Sequence, residues 1–496
     1  MKQNLKSLLV AALCIAVLVL FFFQNHAIAQ DKVKKIDEFV QIHHDYGIFS
    51  GTVLVAWKGK VIFKKGYGMA NIEWNIHNKP NTKFRIGSIT KQFTSMLIMQ
   101  LVEKGKIDLE GKLVDYLPYY RKDTGEKVTI HQLLTHMSGI PSYTSMPNFF
   151  EEISRDPYPV KEFIQKYCSG DLEFEPGAKF SYNNSGYFIL GAVIEEVTGK
   201  TYEEVLKEKI LDPLGMKGTG YDHHDTIIKN RATGYRKTLD GYENSPYLDM
   251  SLPYAAGSLY STVEDLYLWD QALYTEKLLS KKMKDLMFKV YSSARGQGYG
   301  YGWFIGEKKL PESEEKLNKI SHGGGINGFN TLIERYIDDR HLVVLFNNAP
   351  RAPLGRMSDA IIKILYDKPY EKNLPKKSIA EVIYKTYKGK GVEAAIKQYQ
   401  ELKEKHPKEY NFAPNEINML GYYLLDRKKN IKDAIEILKF NVKVNPKYAN
   451  GYDSLAEAYM KNGDKLLAIK NYAKSLELNP KNTGAVDKLK ELMKEK

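Results

Sequence analysis

Strand patterns occur at two widely separated places in this chain, and that placement constrains the fold more than any other feature. The segment GTVLVAWKGKVIFKKGYG (51–68) reads as two strands joined by a tight turn at Lys58-Gly59. A second set comes late: YGYGWFIG (299–306), NTLIERYI (330–337) and HLVVLFNN (341–348), the last two joined by Asp338-Asp339-Arg340. Between the sets the patterns are mostly helical, including 88–104, stopped by Gly105, and 185–198, stopped by Gly199. A helix is also expected over 32–46, with Val33, Ile36 and Val40 on one side. Strands at both ends and helices between predict one sheet built from both ends of the region, with a helical part inserted. With 43% hydrophobic and 12% aromatic residues there is material for packed cores, which excludes a mainly disordered chain.

Residues 366–378 (YDKPYEKNLPKKS) carry Pro369, Pro375 and many charges, and read as a linker. Beyond them the pattern turns helical and repeats itself. DAIEILKFNVKVNP (433–446) matches LAIKNYAKSLELNP (467–480), and MLGYYL (419–424) corresponds to SLAEAY (454–459). Ala434 to Ala468 and Pro446 to Pro480 are each 34 residues apart. An earlier copy, AAIKQYQELKEKHP (394–407), precedes the next by 39 residues, with NFAP as an insertion. This helix–turn–helix period with small residues at fixed positions resembles the tetratricopeptide repeat. The resemblance implies either a groove for a peptide or protein partner or a stabilising appendage.

At the other end, Lys2 and Lys6 precede an apolar run, Leu8 to Phe23, followed by the small-residue site Ala27-Ile28-Ala29. That order is expected of a secretory signal cleaved after Ala29, with export to the periplasm or outside the cell; an uncleaved membrane anchor is the alternative. Two cysteines, Cys14 and Cys168, exclude a disulfide framework and a cysteine-rich metal site. The net charge of +13 suggests an acidic partner until it is located along the chain. Residues 368–496 hold +10 and the signal +2, so residues 30–367 are nearly neutral at +1. Nucleic acid is not an expected partner, and the basic tail reads equally as solvated helix faces.

Three motifs carry chemistry. Ser88 and Lys91, in FRIGSITKQF (84–93), form S-x-x-K. If Ser88 opens the helix, Lys91 lies one turn on, on the same face, and reaches the hydroxyl. A serine needs such help, and that of the helix N-terminus, to attack a carbonyl. The same spacing at Ser313–Lys316 sits in a charged stretch and reads as a solvated loop. Tyr182 and Asn184, in PGAKFSYNNSGYFILG (176–191), lie directly before a helix start, where side chains can face a cleft. A tyrosine near Lys91 can act as general base if its pKa is lowered. His322-Gly323-Gly324-Gly325, just before a strand, offers backbone N–H groups to a developing oxyanion. An α/β-hydrolase reading of that histidine–glycine run fails for want of G-x-S-x-G. The run DHHD (222–225) is read as a polar loop, and neither a metal nor a cofactor is expected.

In this order the three motifs resemble the serine β-lactamase-like family, which spans class C β-lactamases, penicillin-binding DD-peptidases, D-aminopeptidases and esterases. LLTHMSGI (133–140), ILDPLGM (210–216) and AAGSLYSTVEDL (255–266) add to the resemblance, which covers about residues 35–365. It implies an α/β two-subdomain β-lactamase/transpeptidase-like fold, an antiparallel sheet flanked by helices, followed by an all-α tail. The implied organisation is a signal over 1–29, a hydrolase domain over 30–367, a linker over 368–378 and repeats over 379–496. It makes Ser88 the acylated nucleophile and gives Lys91 and Tyr182 the base role. Asn184 would bind Lys91 and the substrate amide, with His322 and Gly324 also contacting substrate. The N–H groups of Ser88 and Gly325 would form the oxyanion hole. His322 stands where many members carry the lysine of K-T-G, which this chain lacks. A mostly neutral side chain there leans towards peptidase or esterase members acting on a small peptide or ester. A β-lactamase, or a non-catalytic penicillin-binding sensor using the repeat tail as scaffold, is the alternative.

Overall fold

The computed structural model describes residues 28–294, 296–314, 316–349, 352–371 and 376–494. The expected signal peptide lies almost wholly outside the described residues, as do positions 372–375 of the expected linker. The described chain forms two compact units: one holds residues up to Lys237 and Tyr242–Asn373, the other Thr238–Gly241 and Leu374–Lys496.

The first unit is built on one eight-stranded sheet. Its strands are β1 (Gly51–Trp57), β2 (Lys60–Tyr67), β3 (Ser292–Ala294), β4 (Gln297–Tyr299), β5 (Phe304–Lys309), β6 (Lys316–Ile326), β7 (Phe329–Tyr336) and β8 (His341–Asn347). The order is β3-β4-β5-β6-β7-β8-β1-β2, and each neighbouring pair is antiparallel. The last strand therefore pairs with the first, with Gly51 opposite Asn347 and Ala56 opposite Leu342. This is the sheet from both ends that the strand placement predicts.

Why β1 and β8 read as unbroken apolar runs follows from their burial on both faces. Leu54, Ala56, Leu342, Val344 and Phe346 join a core with the inserted helices. Val53, Val55, Val343 and Leu345 face the other way, against the helix over 28–45 (α1) and a helix near the end of the unit. The inserted region supplies α2 (Thr90–Glu103), α3 (Asn184–Thr198) and α4 (Val263–Leu273), and the chain closes on α5 (Leu354–Leu365). Two local readings differ. The segment 299–306 is two strands separated by a turn, with Gly302 at φ +78°. The histidine–glycine run lies inside the eleven-residue strand β6 rather than ahead of a strand. Glycine-rich and charged, that strand carries no apolar alternation to mark it.

One buried ion pair ties the insert to the sheet. Arg335 on β7 donates through Nε to Asp270 on α4 at 2.6 Å, with side chains 2% and 1% exposed. Removing one partner strands the other charge away from water. Asp270→Ala is expected to cost about 3–5 kcal/mol of unfolding free energy. Asp270→Leu combined with Arg335→Met should recover most of that loss, and urea unfolding of the three proteins measures both effects.

The second unit is helical: α6 (Ile379–Lys405), α7 (Pro414–Tyr422), α8 (Ile431–Val444), α9 (Ala449–Asn462), α10 (Lys465–Leu478) and α11 (Thr483–Lys494). Gly391, at φ +81°, breaks α6 in two. The repeat-matched small residues Gly421, Ala434, Ala456 and Ala468 are all buried. A side chain at Gly421 would run into Leu438, so small residues let successive helices approach.

Candidate active site

Ser88 sits in a single 3-10 turn, Gly87–Ile89, directly before α2, rather than inside the helix. The strand Phe84–Arg85 pairs with Leu259–Ser261, Ile86 N donates to Leu259 O, and Thr331 Oγ1 on β7 donates to Ile86 O at 2.9 Å. The chain is thus stitched on both sides just before the serine. Gly87 takes φ +52°, a conformation natural to glycine. A β-carbon there would meet Gly325 N at 2.9 Å, so the Ser88 turn lies directly on the glycine run of β6.

Lys91 is wholly buried, and its Nζ meets three groups: Ser88 Oγ at 3.0 Å, Asn184 Oδ1 at 2.8 Å and Ala256 O at 2.9 Å. Burial drives its pKa well below the usual lysine value, and no carboxylate opposes that. Donor and acceptor counting then fixes what the site can do. The Asn184 and Ala256 oxygens only accept, so a neutral Lys91 spends both N–H bonds on them. Its lone pair is left facing Ser88, whose hydroxyl can donate to it. That is the geometry of a base about to take the serine proton.

Tyr182 stands beside this pair. Lys91 Nζ lies 5.0 Å from its ring centroid, and its phenol is close enough to feel the Ser88 hydroxyl. Burial raises the Tyr182 pKa above that of a free phenol, so the expected acidified tyrosine is not found. The phenol keeps its proton, and of the two side chains only Lys91 has a pKa moved down. Asn184 opens α3, and its Nδ2 donates to Thr144 Oγ1 at 2.9 Å, which orients Oδ1 towards Lys91.

His136, within the 133–140 stretch, is the residue that sequence reasoning left without a role. Its carbonyl accepts from Ser181 N and its Nδ1 from Asn183 N at 3.0 Å, so it grips both neighbours of Tyr182. Since Nδ1 accepts, Nε2 carries the proton and donates to Tyr299 Oη at 3.0 Å. Tyr299 in turn faces His322 Nε2 at 3.4 Å, while His322 Nδ1 donates to Gly323 O at 2.6 Å. Burial and the nearby Lys91 push the His322 pKa down to about 3. His322 is therefore neutral and 2% exposed, its ring 6.2 Å from that of Tyr182. His322 is not among the residues that line the cavity over Ser88. Gly324 packs on the Ile86 carbonyl, beside the cavity wall formed by its neighbour Gly325.

A cavity of about 760 Å³ opens over Ser88. Its wall includes Gly87, Asn184, Gly325, Thr144, Phe149 and Arg236, and contains no carboxylate. The exposed Gly325 and Ser88 both line this cavity. Thr144 and Phe149 carry no sequence signal, since only folding brings their loop to the serine. No cluster suited to a metal ion occurs among the described residues, and Asp222 of the 222–225 run is bound to Arg85 and Arg231. Cys168 is a buried free thiol with its pKa raised to about 12.

Comparison with known proteins agrees with this geometry. The Beta-lactamase family model matches residues 31–366. Penicillin-binding protein 4* of Bacillus subtilis (strain 168) is 30% identical over 397 residues, covering 73% of this chain and 83% of that protein. A teichoic acid D-alanine hydrolase of Staphylococcus aureus (strain NCTC 8325 / PS 47) is 29% identical over 345 residues, covering 69% and 79%. Among solved structures, a penicillin binding protein from Bacillus halodurans superposes with a TM-score of 0.58 at 30% identity, covering 66% of this chain and 98% of that one. A family model matched over residues 31–366, together with the Ser88 turn, the desolvated Lys91 and the glycine strand beside them, places the chain in the Beta-lactamase family as a serine hydrolase.

Proposed function

We propose that the protein cleaves an ester or peptide of a D-amino acid through an acyl-enzyme on Ser88. The observation that carries this reading is the buried Lys91 amine 3.0 Å from Ser88 Oγ, its two other partners being oxygens that only accept. Lys91 takes the hydroxyl proton as Ser88 Oγ bonds to the substrate carbonyl carbon. The oxyanion forms against the N–H groups of Ser88 and Gly325. As the tetrahedral species collapses, the bond to the leaving group breaks, and Tyr182 passes it the proton while regaining one from Lys91. Water then enters in place of the leaving group and bonds to the acyl carbon as its proton passes to Lys91; the bond to Ser88 Oγ breaks, Lys91 returns the proton to that oxygen, and the acid leaves. Support for D-aminoacyl substrates comes from the teichoic acid D-alanine hydrolase among the relatives. A neutral His322 and a cavity wall without a carboxylate favour peptidase or esterase chemistry over rapid β-lactam turnover.

The reading extends to the chain ends. Residues 1–29 act as an export signal, placing the enzyme outside the cytoplasm, and the helical repeats act as a tetratricopeptide-like platform for a peptide or protein. A hydrolysis panel of D-Ala-D-Ala peptide, another D-peptide, a D-alanyl ester and a β-lactam tests the enzyme reading. Turnover of an ester or peptide is expected, with Ser88→Ala losing it to background and losing fluorophosphonate labelling. Full hydrolysis by Ser88→Ala overturns the mechanism.

A further inference from the structure

A second cavity, of about 580 Å³, adjoins the one over Ser88. Ser245, Pro246, Leu248 and Asn327 line both, so the two cavities share a wall. The second cavity is walled by Arg85 and Arg231, and Arg236 lines the first. Asp225 is the one carboxylate among the lining residues of the two. Residues 30–367 have a net charge of only +1, so this clustering of arginines is local and not a general property of the body.

Asp222 explains how the two guanidinium groups are set. Its carboxylate is fully buried and accepts from Arg85 Nε at 3.0 Å, Arg85 Nη2 at 3.1 Å and Arg231 Nη1 at 2.7 Å. The two arginine side chains keep 18% and 28% of their surface, while Asp222 keeps none. One anion thus fixes two cations by their inner edges. Arg85 Nη1 and Arg231 Nη2 remain for another acceptor, and the trio carries one net positive charge. Planar forks held this way suit a phosphate or carboxylate better than a lone flexible lysine would. Arg85 is three residues from Ser88, which limits their Cα separation to about 11 Å. An anionic group at the arginines and a carbonyl at Ser88 therefore fit within one substrate.

We propose that this second cavity is an anion subsite, in which Arg85 and Arg231 hold a phosphate or carboxylate group borne by the substrate while its ester or amide carbonyl lies at Ser88. The proposal names the substrate class of the hydrolase and rests on Ser88 as the nucleophile. Anion binding is read on protein that cannot turn over, so the two readings can fail separately.

Full-length Ser88→Ala protein is titrated calorimetrically with pyrophosphate and, separately, with succinate. At least one binds, and adding Arg231→Gln weakens it ten-fold or more. Tighter pyrophosphate assigns a phosphate-bearing arm, and tighter succinate a carboxylate-bearing one. Lys104→Gln, which removes an exposed charge just beyond α2, leaves the affinity unchanged. Ile227→Asp provides a second variant that spares the ion-paired trio. Ile227 is 91% exposed and lines the same cavity, so a carboxylate there weakens binding several-fold without disturbing a core. Absence of binding to both probes, or equal affinity with and without Arg231→Gln and Ile227→Asp, overturns the subsite.

Discussion

Replacing Lys91 by methionine is expected to lower kcat/KM by about 10²–10⁴-fold, the usual contribution of a positioned general base. Methionine keeps the length and apolar bulk of the side chain, so the loss isolates the amine. The pH profile gives the sharper check. In the native enzyme kcat/KM rises with pH as the buried ammonium of Lys91 loses its proton, at a midpoint well below 10.5. The Lys91→Met enzyme lacks that limb. Stability moves with the same proton. Burial places the folded-state pKa below the unfolded one, so between the two the unfolded chain holds a proton that the folded chain does not. This lysine's contribution to stability is fullest at and above the unfolded value and is lost as pH falls towards the folded one. The stability of Lys91→Met relative to native protein is therefore expected to be more favourable at pH 7 than at pH 10.5. Denaturant melts at the two pH values measure it. An equal difference at both, together with retained acylation, contradicts a neutral base at Lys91.

What was legible in the sequence follows from which interactions are local. The strands β1 and β8 announce themselves because burial on both faces demands unbroken apolar runs, and their separation already implies a sheet from both ends. Ser88 and Lys91 are legible because three residues at a helix start must share a face, and their atoms do meet. Asn184 is legible with Tyr182 because both sit at the start of α3, and its Oδ1 does reach Lys91. The roles of His136, Thr144 and Tyr299 were not legible. Each acts through a partner about 40 to 160 residues away, a relation that periodicity does not carry. His322 is legible as a position but not in its surroundings. Its spacing gives the position on the strand, whereas its direction depends on Tyr299 and Tyr182 packing around it. Strand β6 itself was missed because glycines contribute backbone hydrogen bonds to the ladder and no side-chain pattern.

Gly324→Ala is expected to lower the rate of Ser88 acylation by about 10²–10³-fold, while Gly325→Ala lowers it less than ten-fold, although the two glycines are neighbours. The reason is the different space behind each. A β-carbon on Gly324 would fall inside contact distance of the Ile86 carbonyl oxygen and of Thr331 Oγ1. Neither can yield easily, because Thr331 Oγ1 already donates to that carbonyl at 2.9 Å and Ile86 N is held by Leu259 O. The strand must therefore move off the segment that leads into Ser88. The N–H of Gly325 moves with it, and the pair of donors that meets the oxyanion separates. Overpacking of this kind also costs about 1–3 kcal/mol of stability. A β-carbon on Gly325 meets nothing within 4 Å, and the substitution keeps the N–H. Rapid labelling with a fluorophosphonate, followed by mass spectrometry, gives both acylation rates, and urea unfolding gives both stabilities. Equal rates in the two variants, or a slower Gly325→Ala enzyme, would show that the contact between Gly324 and Ile86 does not set the oxyanion hole.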